Sequence, residues 1–375
     1  MNRREFIAGA ASAALAGCTT GAATAFVPKD ERLYGMLLHL GMNMWSNRPM
    51  GTPPFAKPKY EPPKEYFERF PGMHEQGQRL SGLADHLRFE EPMWREVTGR
   101  MQKLGMNFCM IDIGEGLVYP SHPELAVKGS WSVEKMRDEL KRLRTMGLEP
   151  IPKLNFSTTH DAWLGIYERM VSTRKYYEVV ADVIRDVCEI FDTPRFFHLG
   201  FDEEDYDHQG DFVHCVVRQG ELWWQDFLYT VKEVEKHGVR PWIWADKIWH
   251  HREEFVRRMP KSVLQSNWYY LGDFNPSEKS SLYPMVHAYD WLEAAGYDQV
   301  PCVSNVGYWH LQDYNNPELT VNYCRNVAKV APERFKGLLM APWANTMSFK
   351  KPFFDQAFDY MPAARRAMDA WPRAL

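Results

Sequence analysis

Eight short apolar runs, alternating with stretches of helical periodicity, constrain the fold of this 375-residue chain more than any other feature. The runs lie at 33–45, 107–113, 149–156, 195–201, 240–245, 263–270, 301–309 and 337–343. Helical patterns fall between them at 94–104, 133–146, 176–191, 221–237, 287–295, 317–330 and 353–371. Strands that alternate with helices build parallel sheets, because a parallel connection needs a crossover long enough to hold a helix. Eight such units predict a single (β/α)8 barrel, an α/β fold, spanning residues 31–375. Gly105, Gly147, Gly238 and Gly296 fall just past helix ends, where a left-handed cap is expected. The longest connection, 46–90, follows the first strand and is rich in Pro and Gly. Stretches of that length are usually functional or disordered, and this one reads as a partial cover over the barrel mouth. No internal repeat, low-complexity tract or second domain is evident.

The first 18 residues pair Arg3 and Arg4 with a short run of small apolar residues ending at Cys18, which reads as a targeting segment. The run is too short and too rich in Ala and Gly to span a bilayer. Leu15-Ala16-Gly17-Cys18 resembles a bacterial lipobox, in which Cys18 is lipidated; a plain cleaved leader with an incidental Cys18 is the alternative. Residues 19–30 then form a tether. These features imply export by the twin-arginine route to the periplasm or cell envelope, with membrane contact only through a lipid anchor. Cys109, Cys188, Cys215, Cys302 and Cys324 are odd in number and show no metal or redox spacing. Buried free thiols are the default, and one disulfide stays open in an oxidising compartment.

A formal charge of −4, with no basic patch interleaved with aromatics, excludes a nucleic-acid footprint. No metal or other cofactor is implied. In a (β/α)8 barrel the ligand site lies at the carboxyl ends of the strands, so those ends can be read in turn. They offer His39, Asn43 and Trp45; Asp112 and Glu115; Asn155 and His160; then Asp202, Glu203 and Glu204. The later strands add Trp242, Trp244 and Asp246; Asn267, Trp268 and Tyr269; Tyr308, Trp309 and His310; and Trp343 with Asn345. Indoles above carboxylates suit a pyranose, whose C–H faces stack on aromatic rings while its hydroxyls take polar partners. Aromatic strand residues can equally be barrel core. Trp244, Trp268 and Trp343 are assigned to the pocket, and one of Trp242 and Trp244 is expected to face the outer helices.

The fourth run ends in three consecutive carboxylates, Asp202, Glu203 and Glu204, which points to acid/base chemistry at a rim facing a ligand. Neighbouring side chains on a strand point to opposite faces, so Asp202 and Glu203 reach one ligand only if the strand breaks there. A carboxyl beside another and against Phe201 is expected to have a raised pKa. The alternatives are a solvated acidic loop, or a cation held by Asp202, Glu204, Asp205 and Asp207.

His198-Leu-Gly-Phe-Asp-Glu203 resembles the His-x-Gly-Gly-Asp-Glu strand of family 20 glycoside hydrolases, the β-N-acetylhexosaminidases. The likeness continues in order through Tyr119-Pro-Ser-His-Pro-Glu-Leu, Trp131-Ser-Val-Glu-Lys-Met, the third run to Asn155 with His160, Pro241-Trp-Ile-Trp-Ala-Asp246, Gln265-Ser-Asn-Trp268 and the last run to Trp343. The resemblance implies that Glu203 is the general acid and that Asp202 orients the substrate's 2-acetamido group, whose carbonyl attacks the anomeric carbon. It implies that Tyr308 holds the acetamido oxygen and that Trp244, Trp268 and Trp343 enclose it. Asn155, His160, Asp246 and Asn345 complete the set of substrate-binding candidates. Phe201 replaces the family's second glycine. Lys153, Asn155 and Asn345 stand where it usually has acids, and the first strand offers Arg32 three residues before Gly35 instead of Arg followed directly by Gly. The family's small preceding domain is expected to be missing. These positions read the outer hydroxyls, so a different sugar is compatible with the pattern. The expected function is removal of an N-acetylated hexose from glycans. The rivals are a retaining glycosidase with Asp246 or Glu115 as nucleophile, and a noncatalytic glycan-binding lipoprotein.

Overall fold

The computed structural model describes residues 32–50, 64, 68, 82–307 and 310–371. Residues 1–31, with the expected leader and tether and with Cys18, lie outside the described residues, as does most of 51–81. The barrel strands are β1 (Leu33–His39), β2 (Phe108–Asp112), β3 (Glu149–Lys153), β4 (Phe196–His198), β5 (Arg240–Trp244), β6 (Leu264–Ser266), β7 (Cys302–Val303) and β10 (Gly337–Met340). They are parallel and ordered β6-β5-β4-β3-β2-β1-β10-β7. The ring closes where the Val300 and Cys302 amides donate to Gln265 and Asn267 carbonyls, each at 2.9 Å. An eight-stranded parallel barrel is therefore observed, as the alternation of runs requires.

Period-two alternation divides the strand residues between two apolar layers. Leu33, Leu37, Phe108, Ile151, Leu264 and Leu339 fill the barrel, while Tyr34, Met36, Leu38, Ile111, Ile243 and Met340 meet the helices. Trp242 and Trp244 both point inward, which corrects the expectation that one faces the helices. Residues two apart on a strand share a face, so the pair could not have split. Gly35 belongs to the inner face, and a Cβ there would stand 2.2 Å from the Phe108 carbonyl oxygen and 2.5 Å from its ring. Only glycine lets β1 and β2 pass so closely.

The surrounding helices are α1 (Glu91–Lys103), α2 (Val133–Thr145), α3 (Arg174–Ile190), α4 (Tyr206–Gln209), α5 (Gly220–Glu235), α6 (Lys247–Arg258), α7 (Tyr283–Ala294), α8 (Asn316–Asn326) and α9 (Lys351–Asp369). In α3 the buried residues Tyr176, Val179, Val180, Val183, Ile184 and Val187 repeat at three and four, forming one apolar stripe. Ser132, Thr173 and Asn315 cap α2, α3 and α8 by accepting a backbone N–H three residues on, contacts worth roughly 0.5–2 kcal/mol each. Gly105, Gly147, Gly238 and Gly296 take φ of 67–77° just beyond helix ends.

Several boundaries differ from expectation for identifiable reasons. Helix α6 was not among the expected patterns, because it buries only Ile248 and Phe255 and, apart from Trp249 and Val256, is otherwise charged or polar. The seventh run does not continue as one strand. The Ser304 hydroxyl accepts the Val306 amide at 2.9 Å and donates to the Ala341 carbonyl at 2.7 Å, replacing the ladder. The chain then turns into an antiparallel hairpin of β8 (Val306–Gly307) and β9 (His310–Leu311). Tyr308 and Trp309 lie outside the described residues. The expected cover at 46–90 is described mainly at its two ends, which pair through Met50 and Leu83 amides and the Arg48 and Leu83 carbonyls. Cys109, Cys188, Cys215, Cys302 and Cys324 are free thiols, and Cys215 alone of these five is part-exposed. Among the described residues, no helix is long and apolar enough to cross a membrane.

Candidate active site

Strand β4 stops at His198, and the chain breaks as the two-carboxylate reading requires. Gly200, Phe201 and Glu203 adopt left-handed φ of 73°, 68° and 56°, a conformation that strains non-glycine residues by about 1–3 kcal/mol each. Neighbouring elements hold the hinge in place. Asn155 Oδ1 accepts the Ser157 amide at 3.0 Å and the Phe201 amide at 3.3 Å, and Asp246 Oδ2 accepts the Glu203 amide at 2.9 Å. The Ser157 and Thr159 hydroxyls donate to the Asp202 and Glu203 carbonyls at 2.5 and 2.8 Å. A Cβ at position 200 would lie 1.9 Å from Asn155 Oδ1, so glycine is required there. Phe201 turns away to pack on Trp223 and Phe227, with ring centroids 5.7 and 5.1 Å apart. With the strand broken, Asp202 and Glu203 both come within reach of His160.

Asp202 Oδ1 accepts a hydrogen bond from Asn155 Nδ2 at 2.8 Å and lies 4.0 Å from His160 Nδ1. Glu203 Oε2 stands between two imidazoles, 3.3 Å from His160 Nε2 and 3.1 Å from His208 Nε2. One oxygen from each carboxyl and one His160 nitrogen lie within 4.8 Å of one another. Burial pushes the Glu203 carboxyl up, but the His160 hydrogen bond and the charges of both imidazoles outweigh it and hold the group below its ordinary value. That reverses the expected direction, because the expectation of a raised value counted only the neighbouring carboxylate and Phe201, not the imidazoles of His160 and His208. Nearby Asp246 is raised well above its ordinary value, through burial and the Asp202 and Glu203 charges.

The acidic run does not converge on a cation in the way one alternative required. Glu204 turns to buried Arg218, 2.6 Å away, which also meets buried Asp226 at 3.0 Å. Asp205 caps α4 and accepts from His208. The convergent set is instead His160, Asp202 and Glu203. Its spacing would admit a cation, but only at the expense of the imidazole–carboxylate contact that His160 already makes.

A connected series of aromatic rings walls the site. Trp45 meets His160 and Trp343 edge-on at centroid distances of 4.9 and 5.8 Å, and Trp343 lies 5.9 Å from Trp244 and 6.2 Å from Tyr270. Tyr270 stacks on Trp268 at 5.3 Å. The structure thus brings together Asn155, His160, Asp202, Glu203, Trp244, Asp246, Trp268 and Trp343. Asn345 adjoins the end of β1 through its bridge to His39. Trp244 Nε1, Asp246 Oδ1 and Asn345 Oδ1 are buried and make no hydrogen bond within the protein. Such groups are the ones a polar ligand satisfies. Below them Lys153 Nζ donates to Asp112 Oδ2 at 2.6 Å, and His39 Nδ1 lies 3.3 Å from the same oxygen. Glu115 belongs elsewhere: its carboxylate accepts the Met42 and Asn43 amides and shapes the first loop. Tyr308 lies outside the described residues. His208 and Tyr270 were missed as site residues. The available signal for His208 was its position three residues after the helix-capping Asp205.

No known sequence family matches the chain, and no curated protein matches it in sequence. Its fold is similar to that of solved glycosidases. Over 92% of the chain it matches a β-N-acetylhexosaminidase from Bacteroides fragilis at TM-score 0.58 and 12% identity, covering 66% of that chain. Over 75% it matches a family 20 β-N-acetylhexosaminidase from Streptomyces coelicolor at TM-score 0.54 and 15% identity, covering 62% of that chain. Dispersin B is matched at TM-score 0.53 and 13% identity over 75% of this chain and 96% of that one. The first two proteins are thus longer than the region they share with it. At these identities the likeness is one of fold alone.

Proposed function

We propose that this chain is a retaining glycosidase that removes a terminal N-acetylated hexose from glycans, with the substrate's 2-acetamido group as nucleophile. Asp202 orients and polarises the acetamido group, whose carbonyl oxygen bonds to the anomeric carbon. Glu203 protonates the leaving oxygen as the glycosidic bond breaks, then takes a proton from the water that opens the cyclic intermediate.

The observation that carries this reading is the Asp202–Glu203 pair on its left-handed hinge, with one oxygen of each within 4.8 Å. Inverting enzymes keep their acid and base about 6.5–9.5 Å apart to fit a water, so this closer pair is not an inverting acid–base couple. Burial and neighbouring charge favour the protonated form of Asp246, which makes it a poor nucleophile, and Glu115 is engaged by loop amides. Both facts weigh against a covalent enzyme nucleophile. Sugar binding alone would not call for a carboxylate held between two imidazoles, which weighs against a noncatalytic protein. The fold-level likeness to hexosaminidases agrees with the proposal without establishing activity.

The test is a panel of aryl glycosides with and without the 2-acetamido group, run alongside a thiazoline that mimics the cyclised sugar. Turnover is expected only with the acetamido group, and the thiazoline is expected to bind at least about 10²-fold more tightly than the parent sugar. Equal turnover of glycosides lacking the amide would remove the substrate-assisted route. Turnover of none would favour the glycan-binding alternative.

A further inference from the structure

Glu203 has a second imidazole that the proposed mechanism leaves unused. His208 sits on the four-residue helix α4, with Nε2 3.1 Å from Glu203 Oε2 and Nδ1 2.9 Å from Asp205 Oδ1. Asp205 also accepts the His208 backbone amide at 3.0 Å, so one carboxylate both caps the helix and fixes the ring. The two imidazoles on Glu203 differ in access: the His160 side chain is 1% exposed and that of His208 31%. His208 therefore links the carboxyl to solvent, and His160 does not.

We propose that the Asp205–His208 pair is a proton relay for Glu203, storing the proton that Glu203 delivers to the leaving group and recovering it after hydrolysis. This rests on the reading of Glu203 as general acid. The groups facing His208 are Glu203 and Asp202 on the hinge, Asp205 at its own helix start, and His160 from the loop after β3 at a centroid distance of 6.1 Å. Asp211, just past the helix, also acts on His208 through its charge, and Arg48 lies beside that stretch, reaching the Gly210 carbonyl. Burial alone would lower the His208 pKa, but the Asp205 hydrogen bond and the Glu203, Asp205 and Asp202 charges raise it to about 9. At neutral pH the proton thus rests on His208, one hydrogen bond from a carboxyl held low.

The step balances without a co-reactant. The proton moves from His208 Nε2 to Glu203 Oε2 and then to the glycosidic oxygen, which keeps the electron pair of the breaking C–O bond. In the second half Glu203 takes a proton from the attacking water and returns it to His208.

The test is the pH profile of kcat/KM on a natural glycoside for the wild type, His208→Gln and Asp205→Asn. In the wild type the basic limb reports loss of the proton shared by the pair, and in His208→Gln it reports a carboxyl without that partner. The limb is expected to move to lower pH by roughly two units, with a smaller shift in Asp205→Asn. On a dinitrophenyl glycoside, whose leaving group needs no proton, kcat/KM of His208→Gln is expected to fall far less than on the natural glycoside. An unmoved basic limb in His208→Gln overturns the relay while leaving Glu203 as acid. A Glu203→Gln protein that cleaves natural glycosides like the wild type overturns both. Independently of activity, NMR titration of the His208 ring should show its pKa falling in Glu203→Gln and in Asp205→Asn. An unchanged value in both contradicts the pairing.

Discussion

A carboxyl that donates a proton and one that steers an amide need different surroundings, and positions 202 and 203 have them. Asp202 is held by the Asn155 amide, whereas Glu203 stands between two imidazoles with a fifth of its side chain exposed. If Asp202 orients and polarises the acetamido group through its charge, Asp202→Asn keeps the shape and loses the effect. Turnover should fall about 10²–10³-fold, in kcat more than in KM, since removal of one such stabilising group typically costs that much. Steady-state kinetics on an aryl 2-acetamido glycoside check this, and a near wild-type kcat would contradict it. The paired carboxylates were legible in the sequence because charge at the end of an apolar run is costly anywhere but at a rim. His208 was not legible, because a four-residue helix leaves no periodicity to read. The direction of the Glu203 shift was missed with it.

Between elements, the hinge depends on what is packed behind it. Arg218, fully buried, contacts Glu204 just after the hinge, Asp226 on α5 and the Phe156 carbonyl after β3, and lies over the Phe201 ring at 5.1 Å. Its positive charge compensates two carboxylates that have almost no access to water. Arg218→Met would leave both unpaired in the interior, and breaking a buried pair from one side typically costs about 3–5 kcal/mol. Denaturant unfolding of the variant should show a loss of that size, and a change below about 1 kcal/mol would contradict the role. Elements with a clear apolar stripe, such as α3, were legible in advance. Helix α6 was not, since only two of its 12 residues, Ile248 and Phe255, are buried and no apolar stripe runs along it. The end of β7 was hidden for another reason: Ser304 replaces a backbone ladder with side-chain hydrogen bonds, which strand propensity does not register.

At the scale of the whole molecule, the barrel gathers residues from distant parts of the chain at one end, and that gathering is what makes a site of them. Its architecture followed from eight repeats of one pattern. The aromatic wall was legible but for one ring: strand ends supplied Trp45, Trp244, Trp268 and Trp343, while Tyr270 entered only through its stacking on Trp268. A barrel of this kind supports many chemistries, so the identity of the acid has to be tested directly. The decisive measurement is the turnover of Glu203→Gln on two substrates, a natural glycoside and its dinitrophenyl counterpart. General acid catalysis by a positioned carboxyl contributes roughly 10²–10⁴-fold, and only where the leaving group needs a proton. Cleavage of the natural glycoside should therefore fall by that factor or more, with a much smaller loss on the dinitrophenyl substrate. Near wild-type turnover of the natural glycoside by Glu203→Gln would contradict the assignment.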